Sequence, residues 1–83
     1  MISVYIFDDN KRTIEAVEAL LSGENDIQLV GFSTNTSEVI SKLSESKANL
    51  VIMDIDMPGT NGIESTKTVK SHFPEIQVLM QTV

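Results

Sequence analysis

The 83-residue sequence contains no cysteine and few basic residues. Without cysteine, disulfide bonds and thiolate metal sites are excluded. Six lysines and arginines against twelve aspartates and glutamates give a formal net charge of −6. The segment therefore lacks the basic clusters that hold the phosphate backbone of a nucleic acid, and its acidic residues suggest a cation as ligand instead.

Long apolar runs, linker-like stretches and internal repeats are also missing. No apolar run approaches the roughly 20 residues that a membrane-spanning helix needs, and the first residues lack the basic start and cleavage site of a signal peptide. These absences predict a cytoplasmic protein without membrane contact. With 41% hydrophobic and 22% charged residues, the composition is that of one small globular domain spanning residues 1–83.

Two hydrophobic patterns alternate along the chain. Strand-like segments, rich in β-branched and apolar residues, cover residues 2–7, 27–32, 50–53 and 76–83. Between them, apolar residues recur at helical spacing. The first helix is predicted over residues 11–22, before Gly23, with Ile14, Val17, Leu20 and Leu21 on its apolar face.

The starts of the next two helices carry capping-box patterns. Asn35 is followed three positions later by Glu38, and Asn61 is followed in the same way by Glu64. The third helix is predicted to end before Pro74. The residues that it should turn inward are Ile63, Thr66, Val69 and Phe73.

The order β-α-β-α-β-α-β with short connections predicts an α/β fold, a doubly wound parallel sheet with helices on both faces. The continuous apolar run Leu50–Met53 is typical of a central strand. Val78–Met80 is also apolar without alternation, which favours an internal strand, yet the sequence supplies no later strand as its neighbour. We expect that neighbour to be missing or to come from another chain.

Three carboxylates are predicted at one edge of the sheet. Asp8 and Asp9 directly follow the first strand, and Asp54 ends the third. Like charges this close raise one another's pKa, so such a cluster persists where a cation or a shared proton relieves the repulsion. Oxygen ligands without histidine or cysteine favour Mg²⁺. The simpler interpretation is that Asp8 or Asn10 caps the first helix and Asp54 ends in solvent.

The residues Ile6–Asn10 and Val51–Gly59, with Asn61-Gly62 opening the next helix, resemble the receiver domains of bacterial response regulators. This resemblance implies a CheY-like, flavodoxin-like fold with strand order 2-1-3-4. It also implies that strand 5, its lysine near the phosphoryl group and the last two helices are lacking here. The phrases Met53–Gly59 and Val78–Val83 look most like regulators of the LuxR and NarL type.

The resemblance assigns a role to each residue of the acidic edge. Asp54 would accept a phosphoryl group from a sensor histidine kinase, and Asp8 and Asp9 would hold Mg²⁺ together with Asp54 and the backbone carbonyl of Asp56. Thr82 would supply the switch hydroxyl, although a β-branched strand residue is equally expected there without the resemblance. The chain would be a non-enzymatic signalling domain that reaches DNA only through an output domain absent from it.

Two other functions fit parts of the sequence. Asp54-Ile55-Asp56 matches the Asp-x-Asp motif of haloacid-dehalogenase phosphohydrolases, in which the first aspartate is the nucleophile and the second the general acid. Pro58, Gly59 and the upstream aspartates do not match that family. Alternatively, a receiver that no longer switches could associate with itself or another chain through the edge of its fourth strand.

Overall fold

The computed structural model describes residues 1–57 and 61–81, where four strands alternate with three helices. The strands are β1 (Ile2–Phe7), β2 (Ile27–Ser33), β3 (Leu50–Asp54) and β4 (Gln77–Gln81). The helices are α1 (Lys11–Leu21), α2 (Val39–Ser46) and α3 (Gly62–His72). All strand pairs are parallel and their order is β2-β1-β3-β4. The predicted α/β architecture and strand order are confirmed.

The two faces of the sheet pack against different helices. One face joins α2 and α3 in an apolar cluster, to which the central strands contribute Tyr5, Phe7, Val51 and Met53. Because side chains alternate along a strand, Val4 and Ile6 point to the other face, where α1 contributes the buried Ile14. The central strands are thus buried on both sides, as their apolar sequences predict. None of the described helices is long and apolar enough to cross a bilayer.

Of the two asparagines predicted to cap helices, Asn61 does so and Asn35 does not. The Asn61 Oδ1 accepts the backbone N–H groups of Ile63 at 3.0 Å and Glu64 at 3.1 Å, and α3 begins directly after it. The Asn35 Oδ1 instead accepts the backbone N–H and the hydroxyl of Ser37. This local turn uses up the capping oxygen, so α2 begins only at Val39, without a side-chain cap.

Two apolar residues predicted to face inward are exposed. Ile63 is 55% exposed and Leu20 is 74% exposed. At about 100° per residue, Ile63 lies about 120° around α3 from the fully buried Val69, and Leu20 lies equally far around α1 from Ile14. Helical spacing alone does not show that these residues fall on the flank of the buried face rather than at its centre.

The fourth strand is less buried than its sequence predicts. β4 pairs with β3 from Gln77 to Gln81, and among residues 1–57 and 61–81 no strand pairs with its other edge. Leu79 is therefore 57% exposed and Met80 37% exposed. The apolar run predicts an internal strand, but in the described residues it lies at the edge of the sheet.

Asn49 joins the starts of three strands at the end of the sheet opposite the predicted acidic edge. Its Oδ1 accepts the backbone N–H of Ser3 at 2.9 Å, and its own N–H donates to the Ser3 carbonyl at 2.8 Å. Its carbonyl accepts the N–H of Gln77 at 3.0 Å. These bonds align β1, β3 and β4 at their starts, and thereby also set where the strands end.

The pairing of β1 with β2 contains an irregularity. Val4 pairs with Leu29, whereas Tyr5 pairs with Gly31, so Val30 is an extra residue on β2. Such a bulge changes which residues of the two strands lie opposite each other from that point onward. Beyond it, Phe7 pairs with Ser33 at the carboxyl ends of the two strands.

Candidate functional site

The three predicted carboxylates meet at the carboxyl ends of β1 and β3. These strands are neighbours, with Phe7 opposite Met53, so Asp8 and Asp9 follow one strand where Asp54 ends the other. One oxygen from each of the three carboxylates lies within 4.8 Å of the other two. The sequence-based prediction of this cluster is confirmed as geometry.

The cluster combines two buried carboxylates with one that reaches solvent. Asp8 is 3% exposed and Asp54 is 4% exposed, whereas Asp9 is exposed. The pKa of Asp8 is raised above its ordinary value of 3.8, chiefly because burial penalises the charged form, and further because Asp54 and Asp9 lie nearby. The N–H of Asn10 opposes this shift without cancelling it.

Backbone N–H groups orient both buried carboxylates in the same way. The N–H of Asn10 donates to Asp8 Oδ1 at 2.9 Å, and the N–H of Asp56 donates to Asp54 Oδ1 at 3.0 Å. In each case the aspartate binds the residue two positions later, so one oxygen is fixed by the turn that follows the strand. The Asp8 backbone N–H in turn donates to the Ser33 carbonyl of β2 at 3.0 Å.

The start of α3 packs directly against the end of β3. A Cβ atom added to the buried Gly62 would lie 2.6 Å from the Ile55 Cα and 2.7 Å from the Asp54 carbonyl oxygen. Only glycine allows so close an approach of two backbones. Gly62 therefore sets the distance between the first turn of α3 and Asp54.

The donor atoms of the cluster suit a hard divalent cation. They are carboxylate oxygens, the ligands that Mg²⁺ prefers, with no histidine or cysteine in the described group. In the parts of the chain that the structure describes, the two ion pairs are Glu38–Lys42 and Glu64–Lys67, so neither neutralises the cluster. The negative charge at this edge thus favours a bound cation.

Three further residues were predicted to act at or beside the site, namely Asp56, Thr82 and Asn10. Asp56 is exposed, and its contact with Asp54 is made by its backbone N–H; a metal-binding role for its carbonyl stays a prediction. Thr82 lies outside the described residues. Asn10 caps α1, because its Oδ1 accepts the Arg12 N–H at 2.9 Å, so the capping expected at this position coexists with the acidic cluster.

Ser33 is a neighbour of the site that the sequence alone did not reveal. Its carbonyl holds the Asp8 backbone, but any residue type could offer a carbonyl at this point. The contact depends on the bulge in β2, which no sequence pattern marked. Gly62, by contrast, had a signal, since a glycine beside a capping asparagine opens the helix that follows Asp54.

A family model for the response regulator receiver domain matches residues 4–83. The chain belongs to this family. The receiver is 35% identical over 82 residues to the transcriptional regulatory protein LnrK of Bacillus subtilis. It is 36% identical over 81 residues to the response regulator protein VraR of Staphylococcus aureus. These matches include 99% and 98% of this chain, but only 37% of the length of LnrK and 39% of the length of VraR.

Solved receiver structures share its fold. The response regulator domain of Thermotoga maritima CheB superposes with a TM-score of 0.88 at 30% identity, over 99% of this receiver and 60% of that chain. The non-phosphorylated receiver domain of Escherichia coli RcsB gives a TM-score of 0.89 at 27% identity, over 98% and 64%. The CheY-like fold that the sequence motifs predicted is therefore shown, as is the resemblance to response regulators.

Proposed function

We propose that residues 1–83 form a receiver unit that accepts a phosphoryl group on Asp54 from a sensor histidine kinase. Mg²⁺ would be held by Asp8, Asp9, Asp54 and the backbone carbonyl of Asp56. The observation that carries this proposal is the meeting of three carboxylates, with oxygens within 4.8 Å, at the carboxyl ends of adjacent parallel strands. In open α/β sheets, ligands bind at this edge of the sheet.

Each part of the site has a role in the proposed transfer. The Asp54 carboxylate is the nucleophile and forms the bond to phosphorus, while the bond from phosphorus to the donor breaks. The Asp56 N–H fixes one Asp54 oxygen and so orients the carboxylate for attack. Mg²⁺, when bound, neutralises the charge of the carboxylates and of the transferring oxygens. Asp8 is buried and is held by hydrogen bonds to the backbone of Asn10 and of Ser33. These bonds would keep its carboxylate directed at the cation.

The signal would then pass from Asp54 to a change of surface. The new phosphoryl oxygens need hydrogen-bond donors, and the hydroxyl of Thr82 is our candidate for one of them, on the strength of its position in the family motif. Since the matched relatives include a transcriptional regulatory protein, we propose that DNA is reached through an output domain outside this segment. We also propose a cytoplasmic location, where the phosphodonor kinase acts.

The direct test is the intact mass of the protein after incubation with Mg²⁺ and acetyl phosphate. We expect one added phosphoryl group, which is lost when a chelator is present and in Asp54→Asn. Asp56→Asn is the matched control. It removes the same charge from an exposed side chain two residues later, and this variant should still be phosphorylated on Asp54. An unmodified mass under all conditions, in a protein that folds, would exclude the phosphoacceptor role.

A second candidate function rests on the edge of β4. Leu79 and Met80 are 57% and 37% exposed on this strand, and exposed apolar edges are templates for pairing with another chain. We propose homo-oligomer formation through this edge as the alternative to phosphoryl transfer. Sedimentation should show self-association that Leu79→Lys abolishes and Leu20→Lys, an exposed position on α1, does not. A monomer at every concentration would exclude this alternative.

A phosphohydrolase of the Asp-x-Asp type finds little support in the geometry. That chemistry needs the carboxylate of Asp56 beside the leaving group, but this side chain is exposed and the described acidic group consists of Asp8, Asp9 and Asp54. Receivers are signalling modules, and the family match extends over residues 4–83. We expect no turnover of a generic aryl phosphate under conditions in which acetyl phosphate modifies Asp54.

A further inference from the structure

The only tyrosine of the chain lies on β1, paired with β2 and three residues before Asp8. Tyr5 is 5% exposed and pairs with Gly31. A Cβ atom on Gly31 would lie 2.6 Å from the Tyr5 Cε2 atom and 3.0 Å from Cδ2. The tyrosine ring therefore occupies the space that a side chain at residue 31 would need, and the two residues fit each other.

The Tyr5 hydroxyl extends beyond Gly31 to the end of β2. It donates to the Phe32 carbonyl at 3.2 Å and lies 2.6 Å from the Ser33 Oγ. A phenol has a single proton, so both bonds form at once when the Ser33 hydroxyl is the donor in the shorter contact. Tyr5 thus binds both the backbone and the side chain of the last two residues of β2.

This arrangement is coupled to the bulge that sets the strand register. Continuing the pairing of Val4 with Leu29 would place Val30 opposite Tyr5, and its side chain would meet the ring that Gly31 accommodates. The bulge moves Val30 out of that position and brings Ser33 opposite Phe7. In this register the Ser33 carbonyl accepts the backbone N–H of Asp8 at 3.0 Å.

We propose that Tyr5 is a positioning residue for the acidic cluster. Its ring selects Gly31, its hydroxyl fixes Ser33, and Ser33 holds the backbone of Asp8. The part of this inference that concerns Mg²⁺ rests on the proposed function, whereas the part that concerns the Asp8 backbone does not. Outer residues of this kind orient metal ligands through their hydrogen bonds without touching the metal.

The metal-free test is the chemical shift of the Asp8 amide proton, which follows the strength of its bond to Ser33. Tyr5→Phe removes only the hydroxyl, and we expect the Asp8 amide to shift upfield in this variant and in Ser33→Ala. Ser33→Thr keeps a hydroxyl, so the Asp8 amide proton should keep its wild-type chemical shift in this variant. The double variant Tyr5→Phe/Ser33→Ala should move the resonance no further than Tyr5→Phe alone, because both substitutions remove the bond between Tyr5 and Ser33, and Tyr5→Phe also removes the bond to the Phe32 carbonyl.

The second test is Mg²⁺ affinity measured by calorimetry. Outer-shell changes weaken metal binding by roughly 10- to 100-fold, and Tyr5 acts one residue further out, so we expect Tyr5→Phe to bind about threefold more weakly. Ile76→Val is the matched control, because it is a comparably conservative core change directly before β4, at the end of the sheet opposite the cluster. It should keep both the wild-type affinity and the Asp8 resonance.

An unchanged Asp8 resonance in Tyr5→Phe would overturn the inference, as would an Mg²⁺ affinity equal to that of the wild type. A wild-type protein that binds no Mg²⁺ would instead contradict the proposed function. In that case the amide resonance alone still decides whether Tyr5 positions the backbone of Asp8.

Discussion

The buried carboxylates Asp8 and Asp54 are stabilised by some of their contacts and destabilised by others. Each accepts a backbone N–H, which favours the charged form, yet each is at least 96% buried beside another negative charge. An asparagine keeps the oxygen that accepts the N–H and removes the charge. Substitution by asparagine therefore separates the structural contribution of these side chains from their electrostatic cost.

Asp54→Asn should stabilise the metal-free fold. The substitution removes one of two buried like charges and so relieves their repulsion, and the Asp56 N–H keeps its acceptor. Urea denaturation in the presence of a chelator measures the change in the free energy of unfolding. Asp56→Asn, at an exposed position, should change it little; a clear loss of stability in Asp54→Asn would contradict the crowding of charges at this edge.

The raised pKa of Asp8 gives the stability of the metal-free protein a defined pH dependence. Because the folded state holds this proton more tightly than the unfolded state, Asp8 contributes stability that is complete below its ordinary pKa of 3.8 and is lost as pH rises through the raised folded value. Denaturation curves of wild type and Asp8→Asn, measured over this range with a chelator, should diverge with rising pH in favour of the variant. Parallel curves would show that the pKa is not raised.

At the scale of the elements, the contact between β3 and α3 determines how closely the first turn of the helix approaches Asp54. Gly62→Ala would bring a methyl group to 2.6 Å from the Ile55 Cα and 2.7 Å from the Asp54 carbonyl oxygen. Backbone atoms cannot rotate away, so we expect a loss of about 1–3 kcal/mol in the free energy of unfolding. Urea denaturation measures this loss.

Gly23→Ala is the control for the same chemical change. Nothing lies within 4 Å of a Cβ atom at Gly23, and its φ is outside the left-handed region, so alanine should be neutral or stabilise by about 0.5 kcal/mol through the unfolded state. Equal free energies of unfolding for Gly62→Ala and Gly23→Ala would contradict the close packing of α3 on β3.

The elements also show what a sequence can predict and what it cannot. Local signals sufficed for the strands, for the cap at Asn61 and for the meeting of Asp8, Asp9 and Asp54, because neighbouring parallel strands bring their ends together. The cap at Asn35 failed, since its oxygen binds Ser37 instead. Tyr5 and Ser33, by contrast, are 28 positions apart, and their contact depends on the bulge in β2. The register of two paired strands leaves no local pattern in the sequence, so this contact could not be predicted.

At the scale of the whole molecule, the proposed binding of Mg²⁺ would also stabilise the fold. A ligand that binds only the native state stabilises it by about 2.7 kcal/mol at 100 times its dissociation constant. Saturating Mg²⁺ should therefore raise the free energy of unfolding by this amount, and a chelator should reverse the effect. In Asp54→Asn the increase should be much smaller, and an equal increase in both proteins would place the cation elsewhere on this acidic chain.

The receiver also covers only 37–39% of the matched regulators LnrK and VraR and 60–64% of the matched receiver structures of CheB and RcsB. Its stability is thus a property of this segment, and it can be compared directly with that of longer relatives. The exposed Leu79 lies on the strand where such a comparison should differ most, because its surroundings depend on what packs against the edge of β4.

The place of Tyr5 also has an optical consequence. The chain contains one tyrosine and no tryptophan, and phenylalanine emits far more weakly, so its near-ultraviolet emission is dominated by a single ring. That ring lies in the core, and its hydroxyl is two hydrogen bonds from the backbone of Asp8. The unlabelled protein therefore carries one intrinsic fluorophore next to its acidic edge, and events at that edge can be followed in real time by the intensity and lifetime of its light.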